Sequence, residues 1–239
     1  MPEVRENKEI RTVSTAQDIL YSSSNYHARK HGVTSKTSEI IGRYRTSKFS
    51  AFLKNANSEI LEVGVGPGWN LVHLPARRRV GMDVTTAYAE QLRGQGVEFV
   101  SDLEQLAGQQ FDLVILSHVM EHLLEPARML EQIGKLLKPE GEFLVIVPLE
   151  APARKISPKD DNHHLYSWNA QTLNEFLLAC SFSARSLKIK RYGFDRFAAN
   201  LAVRLKGGYG LYRILLFMLR AIRPGYEIKA IASYKPKVT

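Results

Sequence analysis

One cysteine, Cys180, stands in 239 residues, so no intramolecular disulfide can form and a disulfide-stapled scaffold is excluded. No apolar run approaches the length of about 20 residues that a bilayer-crossing helix needs. The longest in the C-terminal part, Ile214 to Leu219, has six, so no transmembrane anchor is expected. The start, Met1-Pro2-Glu3-Val4-Arg5-Glu6, is charged and lacks the apolar core of a signal peptide. A reducing cytoplasm is the expected compartment. Repeats and low-complexity segments are also missing, which excludes solenoid and collagen-like architectures. Acidic residues are scarce at one end. Positions 1–182 carry 20 basic and 22 acidic residues, whereas positions 183–239 carry 13 basic and 2 acidic, so the formal net charge of +9 belongs to the tail.

What is present is ordinary for a folded chain. Hydrophobic residues at 44% and charged residues at 24% supply enough apolar surface for a core, and the length suits one α/β domain with appendages. A helical spacing of Ile40, Ile41, Tyr44, Phe52 and Leu53 predicts a covering helix over about 37–54. Short apolar runs follow at 60–63, 79–82, 97–100, 111–116 and 143–147, separated by helical patterns. Such runs read as parallel strands covered on both faces, and hence as a doubly wound α/β fold.

The clearest helix starts at Pro126 and carries Met129, Leu130, Ile133, Leu136 and Leu137 on one stripe, with Pro139 and Gly141 expected to end it. A second, from about Asn169 to Cys180, has Asn169 as its expected N-cap. Two more strands are expected at 187–192 and 227–234, separated by a basic, partly helical insertion.

The chemistry begins at Glu62-Val63-Gly64-Val65-Gly66-Pro67-Gly68, at the end of the first strand. Glycines there allow a tight turn that brings backbone amides against a ligand, and a helix start after them favours a negative group. The dinucleotide pattern G-x-G-x-x-G would need glycine at 69; Trp69 stands there, which counts against a nicotinamide oxidoreductase. Asp83, followed by Val84, ends the second strand, where a carboxylate can accept both hydroxyls of a ribose. Asp102 follows the third strand and can accept the exocyclic amine of an adenine lying against Leu103. Each aspartate has a structural alternative. Asp83 can cap the next helix, since Thr85 and Thr86 follow, and Asp102 can cap a short helix beginning at Leu103.

With these features in order after three strands, the chain resembles the class I S-adenosylmethionine-dependent methyltransferases, especially their small-molecule group. The matching residues are Glu62 to Gly68, Asp83, Asp102, the stretch from Phe111 through Ser117-His118-Val119-Met120-Glu121-His122, Leu137 to Gly141, and His164-Leu165-Tyr166-Ser167. The resemblance covers about 58–182. It departs at Glu140, where a second glycine is usual, and in the short stretch from Trp69 to Leu74, where the family has a longer helix.

The resemblance implies a mostly parallel seven-stranded sheet with an N-terminal helical arm over 1–57. A methyltransferase domain over 58–239 would carry a basic helical insertion at about 196–225. It implies S-adenosylmethionine as cofactor, with Glu62, Gly64, Gly66 and Gly68 at its methionine end. Asp83 and Val84 would take the ribose, Asp102 and Leu103 the adenine, and Ser117 and His118 would lie near the methyl group. Because the sulfonium already activates that methyl group, the protein need only align a nucleophile and, for an oxygen acceptor, remove a proton.

The remaining expectations concern the acceptor. His118, His122 and His163 are the candidates for a general base, beside the reading of His163 as a solvated loop residue. His118 and His122 are four apart, but no third ligand follows at suitable spacing, so no metal is expected. Tyr26, His27, Arg29 and Lys30 are candidates for a lid. Nucleobase N-methylation is disfavoured, because Ser117-His118 stands where an Asn/Asp-Pro-Pro-aromatic signature would be. In the insertion, Arg213 and Arg220 are expected on one helix face with Arg223 nearby, either in water or against an anionic membrane surface. The expected acceptor is a small molecule or one linked to a lipid or carrier, and nucleic acid is disfavoured for want of interleaved aromatic and glycine signatures. The competing class is a non-catalytic adapter of the same fold that binds membrane or protein through its tail.

Overall fold

The computed structural model describes residues 34–53, 55–150 and 162–236; the expected lid residues Tyr26, His27, Arg29 and Lys30 lie outside them. Helix α1 (Ser35–Phe49) runs into a 3₁₀ turn, Ser50–Phe52. Strand β1 (Glu59–Val63), strand β2 (Arg78–Met82), helix α2 (Ala89–Gly94) and strand β3 (Glu98–Val100) follow. Next come strand β4 (Phe111–Ser117), helix α3 (Pro126–Lys135) and strand β5 (Leu137–Pro148). Helix α4 (Ala170–Ala179), strand β6 (Phe182–Tyr192), helices α5 (Asp195–Arg204) and α6 (Gly208–Ile222), and strand β7 (Gly225–Tyr234) complete the described chain.

The seven strands lie in the order β3-β2-β1-β4-β5-β7-β6, parallel from β3 to β5, with β7 antiparallel to both of its neighbours. The order reverses between β1 and β4, and in an open α/β sheet a crevice forms outside the strand tips at that point. One apolar layer, with Leu130, Ile133, Leu173 and Leu177 fully buried, covers one face of the sheet. Leu71, Leu74 and Leu92 belong to the cluster around Ile60, Leu113 and Ile115. A third cluster joins Ile41 of α1 and Trp69 to Ala198, Ala199, Ala202, Tyr212 and Leu216 of α5 and α6. Burying a side chain such as Leu130 or Ile133 contributes about 2 kcal/mol.

The cap of α4 follows its sequence: Asn169 Oδ1 accepts the Thr172 amide at 2.9 Å, and Thr172 Oγ1 accepts the Asn169 amide at 3.1 Å. Other boundaries differ from expectation. Pro139 and Gly141 do not end α3, which stops at Lys135; they lie inside β5, which begins at Leu137 rather than 143. Leu137 pairs with Phe111 and Glu142 with Leu113, so the residues between them make no ladder with β4 and Pro139 loses no bond there. A Cβ on Gly141 would lie 2.8 Å from the Phe111 carbonyl oxygen, so only glycine permits that approach. β6 starts at Phe182 rather than 187, because it pairs with β7 along its whole length.

The helix expected after the glycine loop is a single turn. Val72 N donates to Gly68 O at 2.9 Å, and residues 69–73 remain in turns. Pro75 removes a donor and disfavours helical geometry at Leu74, which leaves too few residues to propagate a helix.

Candidate active site

A cavity of 720 Å³ opens at the tips of β1, β2 and β4, beneath α1 and the start of α5. Its donor side is built from backbone. Gly64 has φ 75°, donates to Met82 O at 2.8 Å, and a Cβ there would lie 2.3 Å from Val119 Cγ2. Gly66, with φ 47°, donates its amide to Asp83 Oδ2 at 2.8 Å, while Asp83 Oδ1 accepts from Thr85 N at 3.1 Å. The buried Asp83 thus ties the tip of β2 to the loop after β1, and each oxygen keeps acceptor capacity for a ligand hydroxyl.

Glu62 stands behind this wall. Its Oε1 accepts from Asn70 Nδ2 at 2.5 Å, its Oε2 has no hydrogen-bond partner, and Asn70 rather than Glu62 lines the cavity. Burial pushes the Glu62 carboxyl up to about 8, against the opposing pull of Asn70 and Arg45.

Ser117 and His118 stand at the tip of β4. His118 adopts φ 56°, costly for a residue with a side chain, and is held there by its amide bond to Ile146 O at 2.9 Å. Its ring lies between two carboxylates, Nε2 at 3.2 Å from Glu227 Oε2 and Nδ1 at 3.5 Å from Glu121 Oε1, with the Tyr192 ring 5.1 Å away. Burial alone would lower its pKa, but the carboxylates outweigh burial and raise it to about 9, so the imidazole is charged at neutral pH.

Of the residues expected from the sequence, Gly64, Gly66, Asp83, Val84, Ser117, His118 and His122 meet in this cavity. Gly68 does not line it; its positive φ of 79° and its packing against Leu92 and Val72 serve the turn. Asp102 and Leu103 are not brought in either. Asp102 Oδ1 caps the 3₁₀ turn Leu103–Leu106 through Glu104 N at 2.9 Å, and Leu103 is core. His163 lies outside the lining. Its neighbour His164 instead approaches His122, with ring centroids 4.8 Å apart. The Leu165 and Tyr166 amides place it there by donating to the Glu121 carbonyl at 2.8 and 3.2 Å.

Sequence reasoning missed the charged side of the cavity. Arg45 and Lys48 reach the cavity from α1, Asp195 from α5, and Glu227 and Lys229 from β7. A signal existed: Asp195 and Glu227 are the two acidic residues in positions 183–239, and both line the cavity. Burial lowers Lys229 to about 8, although nearby Glu227 pulls it up. The expectation for the insertion is corrected at Arg220, which does not share an exposed face with Arg213. Arg220 is buried and donates to Asp195 Oδ2 at 3.1 Å, Tyr44 Oη at 2.9 Å and Gly193 O at 3.1 Å. The buried Asp195 carboxylate, at the start of α5, gives the guanidinium a charged partner inside the fold.

The glycine loop, the buried carboxylate of Asp83 and the switch-point cavity together form the candidate site. A family model described as a methyltransferase domain matches residues 38–195, and the chain belongs to that family of S-adenosylmethionine-dependent enzymes. It is 29% identical over 139 residues to a probable S-adenosylmethionine-dependent methyltransferase of Mycolicibacterium smegmatis, a match covering 53% of this chain and 52% of that one. The chain thus spans about half the length of the curated relative it matches.

Solved structures support the fold. The Burkholderia thailandensis 1,6-didemethyltoxoflavin-N1-methyltransferase, crystallised with S-adenosylhomocysteine, is similar with a TM-score of 0.57 at 20% identity, covering 89% of this chain and 85% of its own. The cyclase SpnF is similar to the same degree, with a TM-score of 0.57 at 21% identity over 82% and 81% of the two chains. The fold therefore accommodates more than one reaction.

Proposed function

We propose that the protein transfers the methyl group of S-adenosylmethionine to an oxygen of a small or carrier-linked acceptor, in the cytoplasm. The observation that carries this reading is the convergence of the Gly64–Gly66 loop, Asp83 and Ser117-His118 on one cavity. In that cavity Gly64 and Gly66, which present no side chains there, leave room for the donor, and Asp83 takes the ribose hydroxyls. The acceptor then lies toward His118, Glu227, Asp195 and Lys229, whose charges suit a polar molecule rather than an apolar one. Attack of the acceptor oxygen on the methyl carbon forms the C–O bond and breaks the C–S bond, leaving a neutral thioether, and the acceptor's proton leaves to a base or to water. Calorimetric titration with S-adenosylhomocysteine, followed by transfer of labelled methyl groups to candidate hydroxylated acceptors, tests it. Absence of binding at millimolar ligand ends the proposal.

The outer face of α6 supports a second part of the reading, peripheral contact with an anionic membrane that presents a lipid-linked acceptor. Phe217 and Ile222 are 77% and 81% exposed, Ile214 and Met218 lie on the same stripe, and Arg213 and Arg223 flank it. Phe197 is exposed and also lines the cavity, which supports entry from that side. No helix among the described residues is long and apolar enough to cross a membrane. Co-sedimentation with vesicles containing phosphatidylserine is expected, with little binding to neutral phosphatidylcholine vesicles. Phe217→Ser with Ile222→Ser is expected to abolish it; equal binding of the double variant would refute membrane contact through this face.

A further inference from the structure

Next to the cavity stands a side-chain cluster that the methyl-transfer reading leaves unused. Glu121, His122 and His164 each offer one ligand atom, and these atoms lie within 4.8 Å of one another. Glu121 supplies an independent observation. It is fully buried, and neither of its carboxylate oxygens accepts a hydrogen bond. The imidazole nitrogens nearest its Oε1 are His118 Nδ1 at 3.5 Å and His122 Nε2 at 3.9 Å. The His118 imidazole at 3.5 Å offsets part of the cost of burying that carboxylate but closes no hydrogen bond, so both oxygens keep lone pairs for a cation.

His164 shows a second feature of a ligand. Its Nδ1 lies 2.8 Å from Glu150 Oε1. A carboxylate on one ring nitrogen selects the tautomer, orients the ring and leaves the other nitrogen for a metal. The chain segment that carries His164 is fixed by the Leu165 and Tyr166 amides on the Glu121 carbonyl, so the position does not depend on the side chain alone.

We propose that Glu121, His122 and His164 bind a divalent first-row transition ion of the zinc type, with Glu150 positioning His164. Two imidazoles and one carboxylate form the donor set of three-ligand sites that keep a further position for water or substrate. At metal–ligand distances of about 2.0–2.2 Å, tetrahedral donors sit roughly 3.5 Å apart. The ring atoms therefore close on the ion by about 1 Å, a movement open to the partly exposed side chains of His122 and His164. His118 stays paired with Glu227 and is not a ligand. His122 lines the cavity, so the ion borders the acceptor space; that placement, unlike the ion site itself, rests on the methyl-transfer reading.

The test titrates untagged, chelator-stripped full chain with Co(II), read by visible absorption, and measures bound zinc by mass spectrometry. One ion per chain and the absorption of tetrahedral, imidazole-ligated cobalt are expected. His122→Ala and His164→Ala should weaken binding more than about 100-fold, and Glu150→Gln about 10- to 100-fold. Wild-type protein that leaves cobalt as the aqua ion, or affinities unchanged in both histidine variants, overturns the site. If His164→Ala unfolds, His164→Gln checked by thermal melting takes its place, and the wild-type spectrum decides by itself. S-adenosylhomocysteine affinity on the same samples separates the two readings. Loss of cobalt with cofactor binding intact in wild type sinks only the metal site, and the reverse sinks only methyl transfer.

Discussion

The two halves of the cavity are made differently. The half at the tips of β1 and β2, proposed for the donor, consists of loop backbone and one short carboxylate, Asp83, set by residues within 25 positions of one another. The half proposed for the acceptor consists of charged side chains from α1, α5 and β7, as far apart in the chain as Arg45 and Lys229, 184 positions. The loop's amides are bonded to the Met82 carbonyl and the Asp83 carboxylate, so this half is fixed by its own hydrogen bonds. The acceptor half is held by ion pairs and hydrogen bonds such as Arg220 with Asp195 and His118 with Glu227, so its shape depends on helices added to the sheet.

The sharpest way to break the comparison is Arg220→Met. It leaves Asp195 buried without its guanidinium and should cost about 4 kcal/mol of stability by urea unfolding, while S-adenosylhomocysteine affinity in the still-folded protein stays within threefold of wild type. A large loss of cofactor affinity would show that the halves are not separable. Asp83→Ala is the converse. It removes the carboxylate proposed for the ribose together with the anchor of Gly66 N, and should weaken S-adenosylhomocysteine by about 3 kcal/mol, roughly 100-fold, by calorimetry. Unchanged affinity would place the ribose elsewhere.

The smallest effect sharpens the donor half alone. Burial holds the Glu62 carboxyl protonated in the folded chain up to about pH 8, whereas in the unfolded chain it loses its proton near the ordinary carboxylate value of 4.5. The unfolded state therefore binds fewer protons in that window, and stability falls as pH rises from 4.5 to 8. Glu62→Gln should flatten this slope and raise stability at pH 8 by on the order of 2 kcal/mol relative to wild type. Parallel pH profiles for the two proteins would contradict the burial assigned to Glu62.

The sheet was legible in the sequence because buried parallel strands must be nearly all apolar, and each carries its motif at its tip. Even so, boundaries failed where pairing overrode local pattern, as at Pro139 inside β5, where an unpaired stretch tolerates proline. Asp102 illustrates the same limit in the site. A carboxylate after a strand reads alike whether it takes a ligand or caps the Leu103–Leu106 turn, and only the tertiary structure places it in the second role.

By itself, then, the sequence determined the strand segments and the glycine loop with Asp83 after two of them, since these arise from short-range pattern. Tertiary structure alone decided that Glu227 would meet His118 across 109 positions, that Arg220 would turn inward, and that His164 would come to stand against His122. Those meetings follow from how helices and loops pack on the finished sheet, and no spacing along the chain encodes a distance through space.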